Sequence, residues 1–357
     1  MYLALRELRH HRFRSLLIGG IVALIAFMVF MLTGLTRGLA HDNAALLIET
    51  RAAAFVTSKD AEGVFTRSFL TLDDVRRVQA AAGQDATPLA QSFASFSNGS
   101  RQLSAVLVGV EAGSFMAPEV AEGTALRASS VGAVVDESLR EDGVALGDTL
   151  TLKPGGDTVQ VTGFTRGARL NHQPVVFVTL DRWHALNPRT QGTVNAVALK
   201  TAAAADRLAG VDGLGLLTRA QTLQALPGYR EEQGSLTMIQ VFLVVVAAFV
   251  MAVFFYVLTL QKTPQFGLLK AIGASTRTLA GSLIAQMLLL TVLAVAAAAL
   301  VTLGATALLP AGLPFALTPA TLLGASALLT LVAALSSLLS LRSIARVDPL
   351  IAIGASA

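Results

Sequence analysis

Two methionines and a pair of carboxylates are the side chains of this sequence whose type and spacing suit a chemical task. Met28 and Met31 lie three residues apart in an uncharged apolar run, and Tyr229, Glu231 and Glu232 precede a second such run. A thioether is a soft ligand that can hold haem iron, or a flexible surface that suits a flat apolar molecule. A carboxylate at the same boundary could supply an oxygen ligand or hold a cation. The ordinary interpretation is that methionine fills gaps in a helix core and that the carboxylates are solvated flanking charges.

The sequence lacks the common motifs of catalysis and metal binding. It contains no His-Glu-x-x-His, no Gly-x-Ser-x-Gly and no Gly-x-x-x-x-Gly-Lys-[Ser/Thr], which are signatures of zinc hydrolases, serine hydrolases and phosphate-binding loops. It has no cysteine, which excludes disulfides, thiolate metal sites and cysteine nucleophiles. The five histidines show no metal-ligand spacing on a helix face. We therefore expect no enzymatic activity and no resident cofactor, and no metal ligands beyond those that a haem iron would take.

Long apolar segments are the elements that must position these side chains. Only 14% of the residues are charged, against about 25% in soluble domains, and the mean hydropathy is +0.64. Four segments contain no Asp, Glu, Lys or Arg and reach the ~20 helical residues that cross a hydrocarbon core. They are residues 15–36, 236–260, 279–309 and 319–341. The sequence therefore predicts an α-helical membrane protein with four transmembrane helices.

The basic residues predict the orientation of these spans. Nine Lys and Arg residues lie outside the long central segment, all close to a predicted span end, and only Glu7 and Asp348 oppose them. By the positive-inside rule, the basic N-terminal segment 1–14, the loop 261–278 and the tail 342–357 are cytoplasmic. Segment 37–235 and the short loop 310–318 then lie outside. The basic pI of 9.8 is thus a topology signal, and we expect a multi-pass protein of the cytoplasmic membrane with no nucleic-acid partner.

A cleavable signal peptide is the alternative interpretation of the first span. Gly38-Leu39-Ala40 resembles a cleavage site after a basic segment. The apolar run of 15–36 is, however, longer than the roughly 7–15 residues of a signal peptide, which favours a retained helix.

Segment 37–235 has the pattern of a folded domain with both helices and strands. In Leu72–Ala82, Val75, Val78 and Ala82 recur on one helical face, which is typical of an amphipathic helix. Short apolar or alternating runs between turn residues predict strands over residues 104–110, 132–135, 149–152, 158–164 and 174–180. We therefore predict a large α+β extracytoplasmic domain inserted between helices 1 and 2.

The loop between the second and third spans has the pattern of a short amphipathic helix. Pro264 suits its first turn, Phe266, Leu269 and Ile272 form an apolar stripe, and Lys270 faces outward. Such a helix could lie on the membrane surface, or it could dock a cytoplasmic partner.

This loop resembles the one that follows the second span in FtsX/MacB-type permeases of ABC transport systems. The match runs from Gly267 to Ser275, whereas Gln265 replaces the usual Glu and Phe266 an aliphatic residue. Asp348-Pro349-Leu350 is similar to the short C-terminal motif of the same family. The resemblance implies a homodimer through the first span, surrounded by membrane lipid, with two copies of a cytoplasmic ABC ATPase that bind ATP and Mg. The ATPase-coupling residues that it implies are Phe266, Gly267, Leu269, Lys270, Ala271, Ile272, Gly273 and Ala274.

The first span carries a narrow stripe that is typical of a helix packed along one seam. The stripe recurs at spacings of three and four residues and consists of Ile21, Leu24, Met28, Met31, Leu35 and Gly38. Gly34 and Gly38 add a small-x-x-x-small pattern, which predicts close approach of another helix. At 1.5 Å per residue from Ser15, Met28 and Met31 lie roughly 20–24 Å into the span, inside the outer leaflet.

Within the family, residues 34–40, Asp42-Asn43 and the junction 229–239 look most like haem-exporting, HrtB-like permeases, with DevC-like glycolipid exporters next. This resemblance implies that haem enters laterally between two first spans and is expelled outward when ATP binding closes the seam. Its candidate ligands are Met28, Met31, Glu231 and Glu232, with Tyr229 as a further contact. Two alternatives stay open: export of a lipid, lipoprotein or antimicrobial peptide, and a non-transporting role that relays ATPase motion to a cell-wall hydrolase.

Overall fold

The computed structural model describes residues 12–208, 211–310 and 313–345. Most of the basic N-terminal segment and the Asp348-Pro349-Leu350 motif lie outside the described residues. The chain divides into two compact units. The membrane unit comprises the described residues up to Gly38 and from Ser235 onward, and the inserted domain comprises Leu39–Gly234.

Eight α-helices occur in the described residues, and four of them are long. In chain order they are α1 (Arg12–Ile48), α2 (Leu72–Ala82), α3 (Leu180–Leu186), α4 (Ala202–Asp206), α5 (Arg219–Ala225), α6 (Tyr229–Ala271), α7 (Thr276–Thr306) and α8 (Pro319–Ala345). Helices α1, α6, α7 and α8 are each long and apolar enough to cross a membrane. The predicted fold class of four transmembrane helices with a mixed domain between the first two is confirmed.

The bounds of the long helices differ from those of the predicted spans. Helix α1 continues from residue 36 to Ile48, with non-helical backbone angles at Ala44 (φ −143°, ψ 21°). Helix α6 begins before residue 236, and α7 runs from Thr276 to Thr306 instead of 279–309. Hydropathy marks only the uncharged part of a helix, whereas its hydrogen bonds can continue into polar sequence.

The separate helix predicted for the loop 261–278 is wrong. Helix α6 runs without a break through Pro264 to Ala271, and only residues 272–275 separate it from α7. Pro264 removes one backbone donor from the helix. Just before it, the hydroxyls of Thr259 and Thr263 each donate to the carbonyl four residues earlier, at 2.8 and 3.2 Å. The helical backbone continues on both sides of Pro264, so the proline lies within the helix and does not start a new one.

The hydrophobic core of the membrane unit lies among its four helices. Helix α1 contributes Val22, Ala26 and Phe30, which are buried and spaced four residues apart on one face. Polar contacts also join the helices. Gln240 Nε2 donates to Thr33 Oγ1 at 2.8 Å, Ser336 Oγ donates to a carbonyl of α6 at 3.2 Å, and Lys262 Nζ on α6 donates to Gln286 Oε1 on α7. The buried row of α1 fixes which side of this helix faces its neighbours.

The close helix approach predicted at Gly34 and Gly38 is wrong. A Cβ atom at Gly34 would lie 2.2 Å from Cζ of Phe315, and one at Gly38 would lie 2.1 Å from the carbonyl oxygen of Pro314. Both glycines thus continue the buried row of α1, and their neighbour is the loop between α7 and α8. The small-x-x-x-small pattern indicates a close approach, but it does not say which element makes it.

The inserted domain is built on strands. In chain order these are β1 (Ala54–Ser58), β2 (Leu70–Thr71), β3 (Ala86–Asn98), β4 (Arg101–Val110), β5 (Val120–Gly123), β6 (Ala133–Asp136), β7 (Thr149–Lys153), β8 (Thr158–Thr165), β9 (Arg169–Leu170), β10 (Gln173–Thr179), β11 (Thr193–Val194), β12 (Ala196–Leu199) and β13 (Leu214–Thr218). The main sheet has the order β13-β1-β12-β3-β4-β10-β6-β8-β5; β7 pairs with β3 and β8, β9 with β10, and β2 with β11 in a separate ladder. The pairs β4–β10 and β6–β8 are parallel. All five predicted strands occur, as β4, β6, β7, β8 and β10, and α2 has its predicted bounds.

Helix α3 packs closely on the main sheet through Trp183, which is 2% exposed. Its neighbour on β4 is Gly109, where a Cβ atom would lie 2.6 Å from Cβ of Trp183. Only glycine allows this approach. Trp183 is the single tryptophan of the sequence, so it marks the core of the inserted domain.

Candidate functional site

Helix α1 has an exposed row of side chains on a different side from its buried row. This row includes Leu24 and Met28, which are four residues apart, and Met28 is 50% exposed. Met31 and Leu35 are half-buried. Met31 lies about 60° around the helix from Met28, because each residue advances the helix by about 100°. Of the two predicted methionine ligands, Met28 is therefore the one with the more open side chain within the membrane unit.

Helix α6 also leaves a wide apolar face uncovered in the described membrane unit. Its exposed side chains include Met238, Phe242, Val245, Phe249 and Tyr256. Apolar side chains at spacings of three and four residues form one continuous strip. Such a strip suits contact with lipid or with another helix.

Tyr229 belongs to the core of the inserted domain and not to an open surface. It is 9% exposed and packs in the cluster that contains Ala44 and Leu47 of α1. The ring of Tyr229 is therefore not exposed for the predicted contact with cargo.

Glu232 is held in a polar network of the inserted domain. Its Oε2 accepts a 2.7 Å hydrogen bond from Asn43 Nδ2 and lies 3.3 Å from His172 Nε2. The other ring nitrogen of His172 is 2.7 Å from Asp42 Oδ2. Arg169 forms an ion pair with Asp42 and donates to the carbonyl of His172 at 3.0 Å. These five residues are termed the clasp. Since its carboxylate is already engaged, Glu232 is a poorer candidate for an iron ligand than the sequence suggests.

The clasp joins three segments of the inserted domain. Asp42 and Asn43 lie on α1, and Glu232 lies in the first turn of α6. Arg169 lies on β9, and His172 lies in the turn between β9 and β10. The turn residues Asn171 and His172 both have positive φ, 51° and 60°, as a type I′ hairpin turn requires. The backbone N–H of Asn171 donates to the carbonyl of Asn43 at 2.6 Å. The clasp thus fixes both helix segments to one hairpin.

Glu231 is the open carboxylate of the pair. Its only recorded charged neighbour among the described residues is Arg230, at 3.9 Å between Nε and Oε1, and both side chains are exposed. No group of three or more His, Asp or Glu side chains is arranged to hold a metal ion in the described ranges. Among the predicted cargo-binding residues, Met28 and Glu231 are the two that the structure leaves most accessible. Met28 belongs to the membrane unit and Glu231 to the inserted domain.

The predicted ATPase-coupling residues divide into a buried and an exposed set. Phe266 and Gly267 are buried, and Phe266 packs in the core of the membrane unit. Lys270 is half-buried and does not face fully outward, and Leu269 and Ala274 are also half-buried. The exposed set consists of Ala271, Ile272 and Gly273, with Ile272 75% exposed.

Leu268 is a further exposed apolar side chain at the same end of α6, and the sequence analysis missed it. The matched motif contains a leucine at this position but carries no signal of its exposure. Together with Ala271, Ile272 and Gly273 it forms an exposed surface, termed the 268–273 surface.

The C-terminal part of the chain matches a known family. Residues 237–349 match the family model described as FtsX-like permease C-terminal. The matched range covers most of α6, all of α7 and the described part of α8.

Relatives of similar length match across the whole chain. The "Putative hemin transport system permease protein HrtB" of Staphylococcus haemolyticus is 26% identical over 354 residues, which cover 99% of both chains. The protein of the same name from Staphylococcus epidermidis RP62A is 27% identical over 359 residues, again 99% of both chains. An uncharacterized ABC transporter permease of Mycobacterium tuberculosis H37Rv is 25% identical over 360 residues, with the same coverage. The similarity therefore includes the inserted domain as well as the spans.

The solved structures that match include the extracellular domain of the noncanonic ABC-type transporter YknZ from Gram-positive bacteria. It is 14% identical and covers 50% of this chain and 94% of its own. Its TM-score of 0.33 is too low for a comparison of folds.

Proposed function

We propose that this chain is an FtsX-like ABC transporter permease, the membrane subunit of an exporter that extrudes haem from the outer leaflet of the cytoplasmic membrane. The observation that carries the proposal is Met28, an exposed thioether on an otherwise apolar helix row, in a chain similar over its full length to proteins named as hemin permeases. In this proposal the inserted domain and the loop 310–318 face outward, and both termini are cytoplasmic.

The chemistry of haem suits the exposed row of α1. Haem is a flat apolar ring that partitions into a membrane, and its iron accepts a thioether as an axial ligand. Leu24 would contact the ring face while Met28 Sδ binds the iron, and Met31 lies around the helix toward the core. Two copies of the chain that face each other through these rows would place two Met28 side chains at one seam. Haem is here the cargo and not a resident cofactor.

The carboxylates have different roles in the proposal. Glu231 is exposed and could supply an oxygen ligand to the iron or hold a cation. Glu232 serves the clasp, where it holds the first turn of α6 to α1 and to the β9–β10 hairpin. Its removal would therefore act on the inserted domain first and on haem only indirectly.

The driving force would come from two copies of a separate ABC ATPase, since this chain has no phosphate-binding loop. The 268–273 surface is the proposed contact, because it is the exposed part of the segment that resembles the coupling loop of the family. ATP and Mg would bind to the ATPase. ATP binding would then close the seam between two α1 helices and expel haem outward.

Export of a lipid or another amphiphile is a second candidate. The wide uncovered face of α6, which includes Phe242 and Phe249, supports it because an acyl chain needs a long apolar path and no metal ligand. This candidate predicts no spectroscopic role for Met28.

A haem titration of the purified full-length permease in detergent tests the proposal. Wild type should bind haem saturably with a shifted Soret band. Met28→Leu keeps the size and polarity of the side chain but removes the sulfur, so it should lose that shift. Met31→Leu and Glu231→Gln should weaken it less.

Met238→Leu is the matched control, because Met238 is an exposed methionine on α6. It should leave the spectrum unchanged. Binding no tighter than to empty micelles, or a spectrum that Met28→Leu does not change, would overturn the proposed site and favour the lipid candidate.

A further inference from the structure

The loop between α7 and α8 rests on α1 within the membrane unit. The ring of Phe315 covers Gly34, where a Cβ atom would lie 2.2, 2.4 and 2.8 Å from three ring carbons. Ala316 N donates a 3.0 Å hydrogen bond to the carbonyl oxygen of Gly34. Residues 313–318 are termed the strap. The strap therefore contacts α1 through both an aromatic ring and a backbone hydrogen bond.

The second contact of the strap involves backbone alone. A Cβ atom at Gly38 would lie 2.1 Å from the Pro314 carbonyl oxygen and 2.5 Å from the Phe315 backbone nitrogen. Real Cβ atoms essentially never approach other atoms closer than 3.0 Å. Any side chain at Gly34 would therefore have to displace a ring, whereas any side chain at Gly38 would have to displace the main chain of the strap.

The strap and the exposed row lie on different sides of α1. Gly34 and Gly38 continue the buried row of Val22, Ala26 and Phe30 at steps of four residues. Met28 precedes Gly34 by six residues, which places it about 120° away around the helix. The strap thus covers one side of α1 and leaves the Met28 row clear. A rotation of α1 that buried Met28 would carry the glycines out from under Phe315.

We propose that Phe315 is a positioning residue, which fixes the rotation of α1 and ties this helix to α8 so that the two move as one body. The contact with Gly34 sets the rotation, and the hydrogen bond from Ala316 sets the position along the helix axis. The strap keeps Met28 and Leu24 on the open side. The contact itself is independent of the cargo, whereas its consequence for the seam rests on the dimer and exporter function proposed above.

A double-variant cycle in the full-length permease tests the contact. Gly34→Ala and Gly38→Ala should each lower the thermal unfolding midpoint. Gly304→Ala on α7 and Gly324→Ala on α8 are matched controls, because nothing lies within 4 Å of a Cβ atom at either position. The controls should keep or raise the midpoint, since alanine is the better helix former.

The identity of the neighbouring atoms makes the cycle specific. Phe315→Ala removes the ring that a Cβ atom in Gly34→Ala would meet. The double variant Gly34→Ala/Phe315→Ala should therefore have nearly the same thermal unfolding midpoint as Phe315→Ala alone. The same change should not rescue Gly38→Ala, whose neighbours are backbone atoms. Rescue of neither variant, equal rescue of both, or a Gly34→Ala protein as stable as the controls would overturn the contact.

Disulfide cross-linking tests the positioning role, since the sequence contains no cysteine of its own. Met28→Cys should cross-link two copies of the permease, whereas Val29→Cys, which is buried, should not. In a Phe315→Ala background the distinction between these two positions should fade, and in Leu313→Ala, a change in the same loop, it should persist.

The two readouts separate the possible failures. An unchanged cross-linking pattern in Phe315→Ala would overturn the positioning role. Absence of cross-links at every exposed α1 position would refute the proposed α1 dimer, and with it the claim that the strap keeps Met28 at a seam between two copies. The double-variant cycle would still decide whether the strap holds α1.

Discussion

The substitution Asn43→Asp tests how the clasp holds the inserted domain together. Asn43 is 3% exposed, and its Nδ2 donates to Glu232 Oε2 at 2.7 Å. Aspartate has the same shape but replaces this donor by a carboxylate. The change therefore removes a hydrogen bond to a charged acceptor. It also sets a buried negative charge against the half-buried carboxylate of Glu232, with Asp42 as the preceding residue.

The expected loss can be worked from these contacts. A hydrogen bond to a charged group contributes about 1.5–3 kcal/mol, and repulsion between close carboxylates at low effective dielectric adds to its loss. His172 and Arg169 remain nearby and offset part of the repulsion. We expect Asn43→Asp to lower the free energy of unfolding of the inserted domain by about 2–4 kcal/mol.

Trp183 supplies the assay. It is the single tryptophan of the sequence and lies in the core of the inserted domain, so its fluorescence during urea unfolding follows this domain. Glu231→Gln is the matched control, because Glu231 is exposed and should change stability by less than about 0.5 kcal/mol. An Asn43→Asp protein that unfolds at the same urea concentration as this control would refute the described role of the clasp.

Three further predictions concern other parts of the chain. Ile272→Asp should abolish co-purification of the ATPase without changing the urea midpoint reported by Trp183. Phe266→Ala should leave the 268–273 surface intact and lower the thermal midpoint of the membrane unit. Equal effects of the two variants would contradict the assignment of the 268–273 surface as the ATPase contact. Pro264→Ala should raise the thermal midpoint, followed by circular dichroism, because it restores a backbone donor inside α6; a lower midpoint would contradict the continuous helix. Burial lowers the pKa of His184, so the folded domain disfavours its protonated form and loses stability as the pH falls below about 6.5. His184→Gln should flatten the dependence of the Trp183 urea midpoint on pH below this value. An unchanged slope would contradict the effect assigned to the half-buried His184 ring.

The elements that a local run of residues determines could be predicted from the sequence. The charge-free runs mark the four long helices, and the face formed by Val75, Val78 and Ala82 gives the bounds of α2. Strands β1 and β12 were missed because their residues are buried on both faces of the sheet, so no alternation marks them.

Contacts between distant residues could not be predicted in this way. Asp42 and His172 are 130 positions apart, and only the fold of the inserted domain brings them together. Gly34 and Gly38 indicate a close approach, but the identity of the neighbour depends on the path of the strap. The interpretation of Pro264 as a helix start follows a preference of soluble helices, which a long membrane helix does not have to obey.

Haem transfer in proteoliposomes is the most direct test of the central claim. The permease and its ATPase would be reconstituted with haem in the bilayer, ATP outside, and an apoprotein that binds haem inside the vesicles. In permeases whose ATPase faces the medium, ATP should produce the Soret band of the haem-loaded acceptor in wild type and Met238→Leu, and far less of it in Met28→Leu. Normal ATP hydrolysis with no haem reaching the acceptor, or equal transfer by Met28→Leu, would contradict the proposed haem exporter and its site.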